Sequence, residues 1–288
     1  MRPSTSARRS RTTSCRSSQR IERRSVPVND PGEPALRVRS LGHSYPGDPP
    51  VAAVEDVDLE ASRGAFVSLL GPSGCGKSTI LQVLAGLLVP SRGEAAVGGV
   101  STIGEPGLTA YMPQRDLLLP WRRLEGNATL GAEVAGVARE EARARARELY
   151  PRFGLDGFER AWPAQLSGGM RQRLALLRTF LMPRGTLLLD EPLGALDAHT
   201  RREMQGWLQD VWGRDGRTVL LVTHDVEEAL LLSDVVYVMS PRPGRIVERI
   251  AVPLPRPRRS ADVTAEQFVA LKARVLAALE TPGVPDRE

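Results

Sequence analysis

Gly71-Pro-Ser-Gly-Cys-Gly-Lys-Ser-Thr79 is the stretch on which the reading of this chain turns. It fits G-x-x-x-x-G-K-[ST], the phosphate-binding P-loop. Before it, Ala65-Phe-Val-Ser-Leu-Leu70 predicts a short buried strand. After it, Ser78 to Leu88 is apolar at Ile80, Leu81, Leu84, Leu87 and Leu88, the spacing of a helix face. Strand, glycine loop and helix form the context the motif requires; a chance glycine-rich turn would lack it. Gly71, Gly74 and Gly76 allow backbone N–H groups to converge on phosphate oxygens. The helix N-terminus adds partial positive charge at the same point. Lys77 has the reach for β- and γ-phosphates, and the Ser78 hydroxyl suits Mg²⁺.

Working outward, the 288 residues are enough for a sizeable core in one or two domains. No apolar run approaches the roughly 18 residues of a membrane span; the longest, such as Val235-Val-Tyr-Val-Met239, are strand length. Cys15 and Cys75 make no disulfide framework, so a reducing cytoplasm is expected. Cys75 reads as a small packing residue of the loop. The net charge of +5 is unevenly spread: residues 1–30 hold eight arginines against Glu22 and Asp30, which leaves the remainder at −1. A basic face for nucleic acid is therefore not expected. Residues 1–34, rich in Arg and Ser, are expected to be a disordered tail, since they have too little apolar content to offset ordering entropy.

Leu36–Leu41 alternates as an edge strand does, and Val54–Leu59 alternates again beyond the Tyr45-Pro-Gly-Asp turn. The two predict an antiparallel pair flanking the core. Tyr45 is open to two readings, packing of the turn or stacking on a purine. Gly93–Gly99 predicts a hairpin strand and turn, and Leu108–Met112 a short strand ending at Pro113-Gln114. Residues 115–182 read as an inserted helical subdomain: an apolar Leu117-Leu-Leu-Pro-Trp121 knuckle, then helices over Leu124–Val137 and Arg139–Phe153. Leu166-Ser-Gly-Gly-Met-Arg-Gln-Arg173 follows, with Ser167 as N-cap of a helix apolar at Met170, Leu174, Leu177 and Leu181.

Thr186-Leu-Leu-Leu-Asp190-Glu191 is a buried strand ending in adjacent carboxylates, and Gly194–Asp197 is a tight turn. Thr218–Thr223 is a second buried strand, ending at His224-Asp225. Two acids and a histidine at strand ends beside a phosphate loop point to chemistry rather than packing. Val235–Met239 and Arg245–Ile250 are the last strands. Thr264-Ala-Glu-Gln267 has the form of a capping box opening a helix with Phe268, Leu271, Val275 and Leu279 inward.

Over roughly residues 35–255 this set resembles the nucleotide-binding subunit of ATP-binding cassette (ABC) transporters. The Leu166–Arg173 stretch is specific to that class, in order with Gln114, Asp190-Glu191, Asp197 and His224. The resemblance implies an α/β fold: a P-loop core with a mixed sheet, an antiparallel β subdomain and an inserted helical subdomain. Residues 256–288 form a C-terminal linker and helix. It implies ATP and Mg²⁺ as ligands. Tyr45 stacks on adenine, and Gly71, Pro72, Ser73, Gly74, Cys75, Gly76, Lys77, Ser78 and Thr79 hold the phosphates. Gln114 contacts Mg²⁺ or the lytic water, Asp190 holds Mg²⁺ through water, Glu191 is the general base and His224 the switch histidine. Asp197 belongs to the D-loop. Ser167, Gly168 and Gly169 cap ATP held by a second ATPase subunit, expected to be a second copy of this chain.

Within the class the chain is similar to importers of the nitrate, sulfonate and taurine type and to relatives taking up thiamine-pyrimidine precursors. Gln114–Trp121, Asp190–Asp197 and Met239–Arg245 carry that similarity. It implies two integral-membrane permease subunits, an indirect extracytoplasmic solute-binding protein, and a peripheral position on the cytoplasmic face of the inner membrane. An exporter subunit and a non-transport ABC ATPase are the alternatives. The first would usually carry a fused membrane domain, the second a coiled-coil insertion or a second cassette. Leu117–Trp121 lines a groove for the permease or is ordinary subdomain core.

Overall fold

The computed structural model describes residues 33–280; the expected Arg/Ser tail up to residue 32, with Cys15, and residues 281–288 lie outside them. Two sheets carry the architecture. A four-stranded antiparallel sheet runs in the order β2-β1-β4-β5, with β1 Leu36–Tyr45, β2 Val51–Ala61, β4 Arg92–Val97 and β5 Val100–Ser101. A six-stranded sheet runs β10-β9-β3-β8-β7-β6. Its strands are β3 Phe66–Leu70, β6 Ala110–Met112, β7 Thr186–Asp190, β8 Thr218–Thr223, β9 Val235–Met239 and β10 Ile246–Ala251. All pairings in it are parallel except β10 on β9.

β3, β7 and β8 are buried at every position. Continuous apolar runs of that kind suit parallel strands covered on both faces. One face meets α1 Lys77–Leu84 and the antiparallel sheet through Ile80, Leu81, Leu84, Val57 and Leu59. The other meets a helical layer through Phe66, Leu187, Leu189 and Leu221. That layer consists of α2 Leu124–Ala128, α3 Leu130–Val134, α4 Arg139–Phe153 and α5 Gly168–Phe180. It is joined by α6 Ala198–Asp215 through Met204, Trp207 and Leu208. A third cluster holds α7 Val226–Leu232 and α8 Glu266–Glu280 against β9 and β10. No described helix is long and apolar enough to cross a membrane.

Several expectations are corrected. β1 is an inner strand, paired with β2 on one side and β4 on the other. Its outward residues Arg37 and Arg39 gave it the alternation of an edge, but alternation reports which face is wet and not which edge is free. α1 stops at Leu84 because Gly86 takes a φ of +75°, and Leu87 is exposed. The single helix expected over Leu124–Val137 is two short ones broken at Thr129. The Thr129 hydroxyl sits 3.1 Å from the Glu125 carbonyl and 2.6 Å from the Glu133 carboxylate. Such back-bonding to the preceding turn bends helices. The Thr264 capping box does not form: Ser260–Thr264 closes a 3₁₀ turn and the Thr264 hydroxyl donates to the Ala261 carbonyl at 3.2 Å. Phe268 and Val275 still face inward, with Leu271 and Leu279 half-buried beside them.

Candidate nucleotide site

The loop after β3 is shaped by what crosses behind it. Gly76 holds a φ of +96°, and a Cβ there would lie 2.3 Å from Val54 and 2.8 Å from the Ala53 carbonyl. Only glycine fits between β2 and the start of α1. Cys75 is buried in the loop, as its packing role requires, and burial pushes its thiol pKa up. Lys77 is 6% exposed; its ammonium donates to the Gly71 and Pro72 carbonyls, each at 2.8 Å, and lies 3.7 Å from Cys75 Sγ. The charge is thereby held inside the loop, where converging phosphate oxygens would meet it.

A cavity of about 330 Å³ opens over this loop. Tyr45, Ser73, Gly74, Gly76, Lys77, Ser78, Thr79, Gln114 and Glu191, all expected at the site, line it together with Val51, Ala53 and Arg242. Tyr45 is 38% exposed, so its ring is open to a ligand. Its hydroxyl lies 3.1 Å from the Thr79 hydroxyl, and His43 packs edge-on against the ring at 4.6 Å. The turn-packing reading of Tyr45 is incomplete, since the residue belongs to the cavity wall.

β7 and β8 end side by side at the cavity and deliver the acids and the histidine. Asp190 is buried and hydrogen-bonded by the Ser78 hydroxyl. Burial pushes its pKa up, the Ser78 bond opposes this, and neighbouring Glu191 adds to the rise. Glu191 has a φ of +47°, a left-handed conformation that costs a non-glycine residue of order 1 kcal/mol. Three elements hold it there. Gln114 Nε2 donates to Oε2 at 3.1 Å, His224 Nδ1 lies 3.4 Å from Oε1, and Gln172 on α5 donates to the backbone carbonyl at 3.1 Å. Its own N–H donates to Val222 O on β8 at 2.9 Å.

Ser167 caps α5, its hydroxyl accepting from Met170 N–H at 3.2 Å. Ser167, Gly168 and Gly169 are absent from the cavity wall of their own chain. Asp197 caps α6, accepting from the His199 and Thr200 N–H groups, each at 3.0 Å; those bonds hold its carboxyl below the usual carboxylate range. Leu117 and Trp121 are 56% and 71% exposed, whereas Leu118 between them packs against the core of the helical layer, so the apolar knuckle is part surface and part subdomain core.

Sequence reasoning missed Val51, Ala53, Arg242 and the Gln172 bond. Val51 and Ala53 are ordinary strand residues whose relevance arises only when β2 crosses the loop. Arg242 lies within a stretch already singled out, but nothing in a proline-flanked arginine says which way it points.

A strand–loop–helix phosphate cradle with carboxylates on the adjacent strand end defines a P-loop nucleoside triphosphatase. The family model described as ABC transporter matches residues 54–194. The taurine import ATP-binding protein TauB of Yersinia pestis is 42% identical over 217 residues, 75% of this chain and 84% of that protein. TauB of Pseudomonas putida is 43% identical over 218 residues, 75% and 82% respectively. Among solved structures, the ADP- and Pi-bound dimer of the ATP-binding cassette MJ0796 aligns with a TM-score of 0.69. It is 27% identical and covers 76% of this chain and all of that one. The chain belongs to the ABC transporter family, as an ATP-binding subunit. It binds ATP, and its hydrolysis of ATP is coupled to transport.

Proposed function

We propose that this chain energises the import of a small sulfonate or a similarly compact solute of the nitrate and thiamine-precursor kind. The import proteins of Yersinia and Pseudomonas named above support the direction and the taurine-like class. They favour import over the exporter reading. The chain works as a dimer of like subunits against two membrane permeases, on the cytoplasmic face of the membrane, fed by an extracytoplasmic binding protein. The dimeric MJ0796 cassette supports the pairing, and the exposed Leu117 and Trp121 suit a permease contact.

In this reading Tyr45 stacks on the base, the Gly71–Thr79 loop surrounds the phosphates, and Lys77 neutralises them. The Ser78 hydroxyl and a water-bridged Asp190 carboxylate are hard oxygen donors, too few to strip a cation of its hydration, and that donor set fits Mg²⁺. When bound, Mg²⁺ would neutralise charge on the terminal phosphates. Glu191 takes a proton from the attacking water, oriented by Gln114 and His224. Ser167 and Gly169 close the nucleotide site of the partner subunit.

The observation that carries this reading is Glu191, held between Gln114 and His224 at the mouth of the phosphate loop. Glu191→Gln keeps the shape and removes the base. Steady-state hydrolysis is expected to fall by about 10²–10⁴-fold while nucleotide affinity stays within a few-fold. Unaltered turnover would take Glu191 out of the role. For the solute, co-purification with the permease and binding protein, followed by ATPase assays with taurine, nitrate and a thiamine-precursor pyrimidine, separates the classes. Stimulation by none of them would refute the substrate assignment.

A further inference from the structure

The loop between β9 and β10, Ser240–Arg245, is fastened to the nucleotide site at several points. The Gly244 N–H donates to Ala53 O and the Glu55 N–H donates to Gly244 O, each at 3.0 Å. A Cβ on Gly244 would lie 1.9 Å from the Cys75 carbonyl, so the loop rests directly on the phosphate cradle. Arg245 Nη2 pairs with Glu55 Oε2 at 2.8 Å, and the Arg245 N–H donates to Ser240 Oγ at 3.0 Å. Pro241 and Pro243 restrict the backbone on either side of the tip. The tip residue, Arg242, is exposed and forms part of the cavity wall.

We infer that Arg242 is a nucleotide-binding residue whose guanidinium contacts the polyphosphate of ATP. This rests on the reading of the cavity as the nucleotide site. Two cations line that cavity, Lys77 within the loop and Arg242 at its rim, against the single anion Glu191. Tyr45, Val51 and Ala53 offer the ring and apolar contact suited to a base and carry no charge. A guanidinium fork matches phosphate oxygens. The anchoring by Gly244 and Arg245 places that fork without the entropy cost of ordering a free loop. Because Arg242 is exposed, the contact is modest and weakens with salt.

The test uses the full-length protein and competition against a fluorescent nucleotide at low and at moderate salt. For R242A the Kd for ATP is expected to rise about three- to tenfold. The Kd for inosine triphosphate should rise by the same factor, since the contact does not involve the base. R242K should recover part of the loss, and the difference from wild type should shrink as salt is added. R152A removes an exposed arginine of α4 remote from the cavity and serves as the control for net charge; it should bind as wild type does. An R242A Kd within twofold of wild type, unequal losses for the two nucleotides, or an equal loss in R152A would each overturn the assignment. A wild-type protein that binds no nucleotide would instead refute the underlying reading of the site.

Discussion

Glu228 lies in the first turn of α7, four residues after His224, and is 4% exposed. Thr223 donates its hydroxyl to one carboxyl oxygen, and the other is buried beside it. Gln205 also bonds to it, Arg201 attracts its charge and Asp225 repels it, but burial dominates and pushes its pKa up to about 7. The sign follows from linkage. An unfolded glutamate loses its proton near 4.5, whereas the folded one keeps it until about 7. The native state therefore holds more protons in that window, and stability declines as pH rises through it. Glu228→Gln removes the charge that must be buried above the window. Its melting temperature should exceed that of wild type at pH 8 and converge with it near pH 5. Thermal scans at both values check this. An equal offset at both would mean that the carboxyl is ionised, or neutral, throughout.

At the scale of elements, the segment after β10 is held by one buried cation. Arg258 is 3% exposed and donates to the carbonyls of Leu230, Ser233, Val252 and Leu254. Those of Leu230 and Ser233 lie at the C-terminal end of α7, where a cation also meets the negative end of the helix dipole. Gln209 on α6 brackets the Arg258 backbone from the other side, accepting its N–H at 2.7 Å. Burial lowers the Arg258 pKa to about 10, still far above neutrality, so the charge persists. Arg258→Ala strands several carbonyls at once and is expected to lower stability by about 3 kcal/mol, read by chemical denaturation. A loss below about 1 kcal/mol would show that water replaces the guanidinium. None of this was legible in the sequence, where residues 256–288 read only as a C-terminal linker and helix. The phosphate loop, β3, β7 and β8 were legible because backbone requirements fix them: glycines where a Cβ cannot go, apolar runs where both faces are covered. The break at Thr129, the early end of α1 and the inner position of β1 were not. Each depends on partners far away in sequence or on a local hydrogen bond that competes with helix propensity. The site divides the same way. Residues whose chemistry is their own, Lys77, Asp190 and Glu191, could be named as candidates, whereas Arg242 and Gln172 come to the candidate site only through the elements that carry them.

For the molecule as a whole, the phosphate loop and the start of α5 stand apart within one chain. The cavity holds Lys77 and Glu191, while Ser167 and Gly169 at the start of α5 stand outside its wall. If each chain caps the nucleotide of the other, two different defects should complement. Gly169→Asp destroys the cap but leaves the phosphate loop, and the site tolerates a side chain: a Cβ there meets nothing closer than Leu196 at 3.4 Å. Lys77→Ala destroys the phosphate loop but leaves the cap. Each variant alone should hydrolyse ATP at a small fraction of the wild-type rate. In an equimolar mixture, random pairing makes half the dimers mixed, and each mixed dimer has one intact composite site and one doubly defective site. Activity should therefore recover to roughly a quarter of wild type if the sites act independently, and to less if one site needs the other. Recovery must also depend on protein concentration, because the mixed dimer has to form. A mixture no more active than its components, measured where wild type is dimeric, would mean that the cap and the loop serve the same chain's nucleotide or that the two sites fire only together. A covalently tethered pair of one chain of each kind with one site's worth of turnover requires that the cap reach across. If that pair is inactive, tethering a wild-type chain to one carrying both substitutions separates the remaining outcomes: turnover there means that cap and loop serve the same chain's nucleotide, since a cap that reaches across leaves each of the two sites with one defect.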